Sequence, residues 1–484
     1  MFIQPKALGV STLRLRFRWH MEEREVLLTS FFFPFMLRLI PELMFRYPIG
    51  FDTPLYLMKA RIYASNPFAL RFKATLGAEH VSLFYRLLGW FYLLGLDVRI
   101  IMKILPSLIY GLIGLCFFMY LRRVEFFSPG ESFLSVLLLA ISPPSLRISW
   151  DMHKQSFATV LLFLSLLCLR SDGLRVCLFL PFLLVLVALS HELVFSILAL
   201  LIVVWALGEL KHGSKVTLLP LGVLLTCLLI LSSWYNWDMR ALSSMVFEDY
   251  YHGEYCAYGD SWWFILVDRT FTPFLLLFWY LLPLAVMGFF KSRFLTPWLV
   301  LCSFSSFFRV IYPYFAPAVS WRWMLLLIYP LAAYSARGLK RALRCFTLRS
   351  FLSSISCLAS LILMSLDFLG VLGLHIYAFR EGYSIIPSDM VSSSLPLDGL
   401  QATEDCINWL NEHARNGSVL LVDSFHHGWA RFLSDIPVIT YGPLYRSRSD
   451  LSDVDTAVKY ALSLGYEHVY LLARSGAPEG FNLI

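Results

Sequence analysis

Charged residues are scarce in this chain: only 15% of its 484 residues are Asp, Glu, Lys or Arg, whereas a soluble domain carries about 25%. Hydrophobic residues make up 58%, and the mean hydropathy is +0.66. This composition excludes intrinsic disorder, a secreted disulfide scaffold and a collagen-like rod. The apolar runs are continuous, unlike the polar–apolar alternation of a β-barrel, and suit helices that cross a hydrocarbon core of about 30 Å. The composition therefore predicts a polytopic helical membrane protein.

Motifs of several other protein classes are also missing. The nine cysteines form no CxxC pair and lie mostly inside apolar runs, which is typical of small core residues rather than of a metal or redox site. No internal repeat and no glycine-rich phosphate loop is present. No basic stripe with interleaved aromatic residues is found either, so the net charge of +7 is attributed to cytoplasmic Lys and Arg. We therefore expect no nucleic-acid partner.

The apolar runs predict an all-α polytopic membrane bundle of about eleven transmembrane helices. The predicted spans are residues 27–45, 104–121, 131–147, 155–169, 175–190, 193–209, 216–233, 270–290, 294–312, 323–339 and 351–376. A further apolar stretch, residues 81–96, is short and interrupted by Arg86, so it either spans or lies in the interface as an amphipathic helix. If it does not span and the N-terminus is cytoplasmic, the basic pairs between the spans all fall in cytoplasmic loops. The positive-inside rule therefore favours a re-entrant or interfacial helix.

The predicted organisation has three parts. Residues 1–26 form a cytoplasmic N-terminal segment, residues 27–379 form the multispanning domain with outer loops 46–103 and 234–269, and residues 380–484 follow. The last part alternates helix-like stretches (403–415 and 453–464) with strand-like ones (418–422, 438–441 and 468–472), which predicts a small extracytoplasmic α/β domain. We expect a multi-pass protein of the cell membrane, with its N-terminus in the cytoplasm and its C-terminal domain outside.

The first outer loop places a carboxylate beside the membrane. Asp52 lies in the run Gly50-Phe51-Asp52-Thr53-Pro54, just after the first predicted span. In one interpretation Thr53 caps a helix that has Pro54 at its first position, and Asp52 is a solvated neighbour. In the other, Asp52 is a general base at the membrane face. The sequence alone leaves both interpretations open.

A second outer turn carries Asp151, His153 and Lys154 within four residues. These side chains offer an acid, a metal ligand and a phosphate partner; alternatively, Asp151 caps a helix and Lys154 extends to the headgroups. A third outer turn holds His191 beside Glu192. Because adjacent helical residues do not face each other, these two side chains are not expected to bind one ion together. If a divalent metal such as Mg²⁺ or Mn²⁺ takes part, its predicted ligands are Asp52, Asp151, His153 and His191.

Basic residues lie on the outer side, where the positive-inside rule predicts few. Arg322, between Trp321 and Trp323, opens a late span and is either an interfacial anchor or a bidentate phosphate ligand. The cations of the first outer loop either contact headgroups or form an electropositive surface for a lipid-linked phosphate. The predicted phosphate-binding residues are Arg322, Lys154, Lys59 and Arg61.

Together these motifs resemble the GT-C class of multispanning glycosyltransferases, which includes the dolichyl-phosphate-mannose-dependent protein mannosyltransferases. The resemblance covers residues 26–345. It rests on the loop GFDTPLY, an interfacial helix that leads into an Arg-containing second span, the outer turn WDMHK and the late run RWMLLLIYPLAAYSARGL. It implies catalytic roles for Asp52 and Asp151 and a contact between Arg322 and the donor phosphate.

The resemblance also implies an activity. The expected reaction is an inverting transfer of a hexosyl unit from a polyprenyl-phosphate sugar to a hydroxyl of a glycan or protein on the non-cytoplasmic face. Two alternatives stay open: an oligosaccharyltransferase-like enzyme that transfers a whole glycan, and a lipid or glycan transporter without enzymatic activity. The WWDYG signature of oligosaccharyltransferases is absent, and the second loop reads Asp-Met-His rather than Asp-x-Asp. A glycosyltransferase is therefore the favoured interpretation, with its metal dependence left open.

Overall fold

Helices form where the sequence has its continuous apolar runs. The computed structural model describes residues 23–65, 71–74, 77–80, 82–169, 173–210, 221–222, 224–225, 270–311, 320–344, 348–369, 371–372, 395, 397, 399–423, 425–441 and 453–472. The predicted outer loop 234–269, most of the N-terminal segment 1–26 and nearly all of the predicted span 216–233 lie outside these residues.

The helices before the second outer loop are α1 (Glu23–Met44), α2 (Thr53–Ser65), α3 (Leu83–Leu93), α4 (Val98–Arg123), α5 (Pro129–Ile141), α6 (Pro143–Asp151), α7 (His153–Cys168), α8 (Gly173–Ser190) and α9 (Glu192–Leu210). The later helices are α10 (Thr272–Phe278), α11 (Leu282–Gly288), α12 (Leu295–Ile311), α13 (Ser320–Leu325), α14 (Ile328–Arg344), α15 (Leu348–Phe368), α16 (Leu400–His413), α17 (His427–Leu433) and α18 (Val454–Ser463). The strands are β1 (Arg71–Ala74), β2 (Gly77–His80), β3 (Ser418–Asp423), β4 (Val438–Tyr441) and β5 (His468–Leu472).

Four of the described helices are long and apolar enough to cross a membrane. They are α1, α4, α9 and the part of α15 from Phe351 to Phe368, and the bent pair α5–α6 would make a fifth. Helix α7 and parts of α8 and α12 are apolar but shorter. The structure therefore confirms a largely helical membrane protein, whereas the count of eleven spans stays a prediction.

The predicted span 131–147 is two helices rather than one. Helices α5 and α6 meet at an angle of 64°. The break falls at Ser142, because Pro143 and Pro144 follow it, lack backbone N–H donors and restrict the residue before them. All nine residues of α6 are buried, including Arg147 and Asp151. The bend thus carries the acidic turn of the sequence into the interior.

Helix α3 corresponds to the ambiguous stretch 81–96. Its 11 residues extend about 16 Å, roughly half of a hydrocarbon core. Phe84 and Leu88 are buried, whereas Trp90 and Leu93 are half exposed. Gly89 allows α3 to lie against α2, since a Cβ atom there would come within 2.9 Å of the Tyr63 Cβ. The helix is too short to span, and its one buried face fits an interfacial position.

The C-terminal residues form a parallel three-stranded sheet in the order β4-β3-β5. Along β3 the side chains alternate between two faces. Val419 and Leu421 pack with Ala457 and Ala461 of α18. Leu420 and Val422 pack on the other side with apolar residues of α16 and α17. These helices and strands lie within residues 399–472, and their forming a separate α/β domain stays a prediction.

Helices α16 and α17 lie against the first outer loop. Tyr47 donates a hydrogen bond to Glu404 over 2.6 Å, and Arg99 donates to the same carboxylate over 2.8 Å. Gly428 of α17 lies so near α2 that a Cβ atom there would come within 2.6 Å of the Pro54 Cβ. Trp429 is almost fully buried in the main core. These contacts fix α2, the helix that begins directly after Asp52.

Candidate active site

Asp52 is the last residue before α2. Its backbone carbonyl accepts the first helical hydrogen bonds, from the N–H groups of Leu55 at 3.0 Å and Tyr56 at 3.2 Å. Thr53 is fully buried and donates from its hydroxyl to the Ile49 carbonyl over 2.8 Å. Thr53 is therefore inside the helix and does not cap it, and the capping interpretation is wrong. The partly exposed Asp52 side chain lies at the N-terminus of α2, where the helix dipole favours negative charge.

Asp151 contacts the Asp52 loop directly. Its Oδ1 atom accepts a hydrogen bond from the Asp52 backbone N–H over 3.3 Å. The other carboxylate oxygen forms an ion pair with Arg147, one helical turn earlier in α6. The Tyr56 hydroxyl donates to the Asp151 backbone carbonyl over 3.2 Å. Asp151 is 3% exposed, so its described contacts hold the two outer loops together.

Gly50 allows these two loops to approach each other. Its φ of +122° is in a region that favours glycine. A Cβ atom there would lie 2.7 Å from both the Trp150 carbonyl oxygen and the Thr53 hydroxyl. Any side chain at this position would therefore separate the Asp52 loop from the Asp151 turn.

Lysines converge on the ring of Tyr85. The Lys59 Nζ lies 4.7 Å from the ring centroid and the Lys154 Nζ lies 5.2 Å from it. Tyr56 packs on the same ring, with 5.3 Å between centroids. These two predicted phosphate ligands, from α2 and α7, are thus brought to one place next to the Asp52–Asp151 contact.

Arg322 acts on the same group of residues. The pKa of Tyr56 is raised by burial first and then by the neighbouring Tyr85 and the negative charge of Asp52, while the positive charge of Arg322 lowers it. Arg147 likewise lies within electrostatic range of both Asp52 and Arg322. A carboxylate from the first outer loop and an arginine some 270 residues later therefore belong to one polar cluster.

The third outer turn joins this polar cluster. Both Lys154 and Arg322 act electrostatically on His191 and on Glu192. The His191 Nδ1 atom accepts a hydrogen bond from the Leu193 N–H over 3.2 Å, which turns that nitrogen toward its own helix. The polar cluster consists of Asp52, Tyr56, Arg147, Asp151, Lys154, His191, Glu192 and Arg322.

One predicted phosphate ligand binds elsewhere. Arg61 donates to the backbone carbonyls of Phe432 over 2.8 Å and Ser434 over 2.7 Å. It also forms an ion pair with Asp435 at 2.7 Å. Its described contacts are thus with the C-terminal sheet region, and they fasten that region to α2.

The predicted metal ligands do not form a metal centre. Within the described residues, no group of three His, Cys, Asp or Glu side chains is arranged to hold a metal ion. Asp151 is engaged by Arg147, and His153 is buried with its ring 4.7 Å from that of Tyr56. Asp52, Asp151, His153 and His191 therefore do not together fit a resident divalent cation.

Two residues of the polar cluster, Arg147 and Tyr56, are not singled out as candidate site residues in the sequence. Arg147 stands four residues before Asp151, a spacing that pairs side chains on one helical face. The spacing points to a pair only if residues 143–151 form a separate helix. The predicted span 131–147 instead ends at Arg147 and leaves Asp151 in the following turn. Tyr56 gives no comparable signal, because its contacts with Asp151 and Tyr85 arise only when three helices meet.

Comparison with solved structures identifies the fold. The arabinofuranosyltransferase AftD from Mycobacteria is similar over 88% of this chain, with 15% sequence identity and a TM-score of 0.52. This chain spans only 32% of the length of AftD. The likeness confirms the resemblance to a multispanning membrane glycosyltransferase at the level of the fold.

Two further structures are similar at TM-scores of 0.49. ArnT from Cupriavidus metallidurans, bound to undecaprenyl phosphate, has 14% identity, with 93% of this chain and 88% of ArnT covered. The oligosaccharyltransferase AglB from Archaeoglobus fulgidus, bound to an inhibitory peptide and a dolichol-phosphate, has 15% identity, with 86% of this chain and 64% of AglB covered. No protein-family model and no curated protein matches the sequence.

Proposed function

We propose that this chain is an integral membrane glycosyltransferase that moves a sugar from a polyprenyl-phosphate donor to an acceptor hydroxyl, with inversion, on the non-cytoplasmic face. One observation carries the proposal: Asp151 of α6 accepts a hydrogen bond from the Asp52 N–H, and α6 also contacts α13, the helix that carries Arg322. A carboxylate and a cation in one polar cluster provide a base for the acceptor and a partner for the donor phosphate. The fold likeness to AftD supports this reaction class.

The donor phosphate is assigned to the cationic side of the polar cluster. Arg322 offers a planar fork for phosphate oxygens, and Lys154 offers a compact charge in the same polar cluster. Lys59 shares the ring of Tyr85 with Lys154 and extends this positive region. Fixed positive charge in a largely buried environment stabilises the phosphate as it leaves, which is the main electrostatic contribution we assign to the protein.

Asp52 is assigned the proton transfer. Its carboxylate removes the proton of the acceptor hydroxyl while that oxygen forms a bond to the anomeric carbon. The bond between the anomeric carbon and the phosphate oxygen breaks, and the phosphate leaves with the electron pair. Attack from the face opposite the phosphate inverts the anomeric configuration. A positioned base of this kind contributes about 10²–10⁴-fold to the rate.

Asp151 takes a different part from the catalytic one that the sequence suggests. Its Oδ1 atom accepts from the Asp52 backbone, and its other oxygen is paired with Arg147. A buried carboxylate engaged on both oxygens is poorly placed to accept a substrate proton. We therefore assign Asp151 and Arg147 to the positioning of the Asp52 loop.

The C-terminal residues are proposed to form an extracytoplasmic α/β domain on the same side of the membrane as Asp52. Glu404 receives hydrogen bonds from Tyr47 and Arg99, and Arg61 binds the carbonyl of Ser434. These contacts join the sheet region to the first outer loop, so both lie on one side. The basic loops between the spans then face the cytoplasm, together with the N-terminus.

The decisive experiment is a transfer assay with the purified full chain in lipid nanodiscs. Radiolabelled hexosyl polyprenyl phosphates are supplied with a mixed set of glycan and peptide acceptors, and the product anomer is determined by NMR. The wild-type chain is expected to transfer the sugar with inversion. Asp52→Asn should lower kcat by about 10²–10⁴-fold while the protein remains folded, whereas Asp455→Asn, an exposed aspartate of α18, should leave activity unchanged.

Three results would contradict the proposal. Near-normal transfer by Asp52→Asn would remove the assigned base. Transfer from a polyprenyl-pyrophosphate glycan alone would show an oligosaccharyltransferase-like enzyme instead. Movement of intact donor across proteoliposomes, without formation of a glycosidic bond, would show a transporter.

A further inference from the structure

A buried ion pair lies beneath the two loops of the polar cluster. Arg38 and Glu42 stand one turn apart in α1, both with fully buried side chains, and their side chains form an ion pair. The polar cluster and the proposed chemistry do not use them. Each of the two also contacts a different outer loop.

Glu42 holds the Asp52 loop. Its Oε2 atom accepts a hydrogen bond from the Ile49 backbone N–H over 3.0 Å, while its Oε1 atom accepts from Arg38. Ile49 is 1% exposed, so its N–H needs a partner within the protein. The Ile49 carbonyl in turn accepts from the Thr53 hydroxyl over 2.8 Å. Glu42 thus fixes the backbone on the N-terminal side of Asp52.

Arg38 holds the Asp151 turn. Its Nε donates to the Ser149 carbonyl over 3.4 Å, and its guanidinium lies 3.7 Å from the Trp150 ring centroid. Ser149 and Trp150 directly precede Asp151 in α6. A cation over an indole ring is attracted to the ring face and fixes its orientation. Arg38 therefore sets the position of the turn whose carboxylate contacts Asp52.

We infer that Arg38 and Glu42 are a positioning pair that holds the Asp52 loop and the Asp151 turn in register from within α1. The inference rests on the proposed function, since it assigns the pair a role in the placement of the Asp52 carboxylate. In some proteins an apolar pair of similar volume replaces a buried ion pair without loss of stability. In this protein, however, an apolar pair in place of Arg38 and Glu42 could not accept from the Ile49 N–H or donate to the Ser149 carbonyl.

The test compares three variants and one matched control in the full-length protein. Glu42→Gln keeps the side-chain shape but removes the charge and replaces one acceptor oxygen with an amide donor, so it weakens both the Arg38 contact and the Ile49 contact. Arg38→Lys lacks the fork that reaches both Glu42 and Ser149. The neutral double variant Arg38→Gln/Glu42→Gln removes both charges together.

Glu125→Gln is the control. Glu125 is a partly buried carboxylate that accepts from Tyr120 and Ser292, each over 2.7 Å, just beyond the C-terminal end of α4. Helix α4 has 26 residues and extends about 39 Å, so the control lies far from Asp52.

Amide hydrogen exchange is the readout that does not depend on activity. The exchange of the Ile49–Asp52 amides should rise about tenfold or more in Glu42→Gln, because the Ile49 N–H loses its charged acceptor. It should rise similarly in Arg38→Lys, because the turn whose Asp151 accepts from the Asp52 N–H is then held less firmly. Glu125→Gln should leave these amides unchanged. In the transfer assay kcat should fall about 10–100-fold with KM for the donor within about threefold, since small displacements of a base act on the reactive geometry. The double variant Arg38→Gln/Glu42→Gln should recover part of the kcat that the single variants lose.

The two proposals fail in different ways. Faster exchange at Ile49–Asp52 together with no transfer by the wild-type chain would contradict the proposed function and leave the loop-holding role standing. Unchanged exchange in folded Glu42→Gln, or normal kcat in the presence of faster exchange, would overturn the positioning pair. If Arg38→Lys does not fold, the nearly isosteric Glu42→Gln decides.

Discussion

The Asp52 backbone N–H donates a hydrogen bond to the Asp151 Oδ1 atom over 3.3 Å, although 99 residues separate the two along the chain. The bond joins the start of α2 to the end of α6. Both residues stand out in the sequence as outer-turn carboxylates, and the structure gives them unequal surroundings. Asp52 is partly exposed, whereas Asp151 is buried against Arg147.

The first prediction concerns Asp151→Asn. Loss of one partner from a buried ion pair costs about 3–5 kcal/mol, because the other charge stays buried without compensation. We expect a large fall in the free energy of unfolding together with a loss of transfer, and partial recovery of stability when Arg147→Met is added. Chemical denaturation in detergent measures the stability.

The matched control for this variant is Asp97→Asn. Asp97 forms an ion pair with Arg99 at 3.2 Å, but both side chains are more than a third exposed, Asp97 at 38% and Arg99 at 35%. Such pairs contribute about 0–1 kcal/mol, and Asn also caps helices well. If both variants lose equal stability, the special role of the Arg147–Asp151 pair is refuted.

A second prediction concerns Gly50→Ala. The added Cβ would collide with the Trp150 carbonyl and the Thr53 hydroxyl, each 2.7 Å away, in addition to the strain of a positive φ. Gly95→Ala separates the two effects, since Gly95 has φ +75° and no atom within 4 Å of an added Cβ. Gly95→Ala should cost about 1 kcal/mol, and Gly50→Ala should cost more and abolish transfer. Equal thermal shifts in the two variants would show that the loop contact is unimportant.

A third prediction concerns the attachment of the C-terminal residues. Glu404 receives hydrogen bonds from Tyr47 and Arg99, and Glu404→Leu removes both, so the buried Tyr47 hydroxyl keeps only its longer contact with the Gln401 side chain at 3.1 Å. We expect faster proteolysis of residues 400–433 and reduced transfer. Glu412→Leu, an exposed position at the other end of α16, is the control. Unaltered protease sensitivity in Glu404→Leu would exclude Glu404 as an anchor.

A fourth prediction concerns pH. Burial, aided by the nearby positive charge of Arg431, lowers the pKa of His427 from 6.5 to about 4. Between these two values the unfolded chain binds more protons than the folded one, so stability falls as pH drops from about 6.5 towards 4. The full difference corresponds to roughly 3 kcal/mol. His427→Gln should flatten the dependence of the free energy of unfolding on pH in this range. An unchanged slope would show that His427 is not the group responsible.

Much of the helical framework is predictable from the sequence because apolar length is a local property. Helices α1 and α4 lie over the predicted spans 27–45 and 104–121. The strands β4 and β5 coincide with the predicted strand-like stretches. The α5–α6 bend escapes prediction because an average over apolar residues passes through Pro143 and Pro144, although these two residues carry the signal.

The candidate site is predictable only in part. Asp52, Asp151 and Arg322 stand out because ionisable residues beside long apolar runs are costly and therefore rare. The ring of Tyr85, on which Lys59 and Lys154 converge, belongs to a short helix whose position depends on tertiary packing. The contact of Arg61 with the Ser434 carbonyl has no local signal, because 373 residues separate the partners.

That long separation has a consequence for biogenesis. The partners of Arg61 begin 371 residues further along, at Phe432, and at 5–20 residues per second a ribosome needs about 20–75 s to make that stretch. After its own translocation, helix α2 therefore lacks these partners until the later segment has also been translated and translocated. In nascent chains arrested before Phe432, the first outer loop should lack its contacts with the C-terminal residues. Quality-control proteases should therefore cleave the loop most readily at this stage.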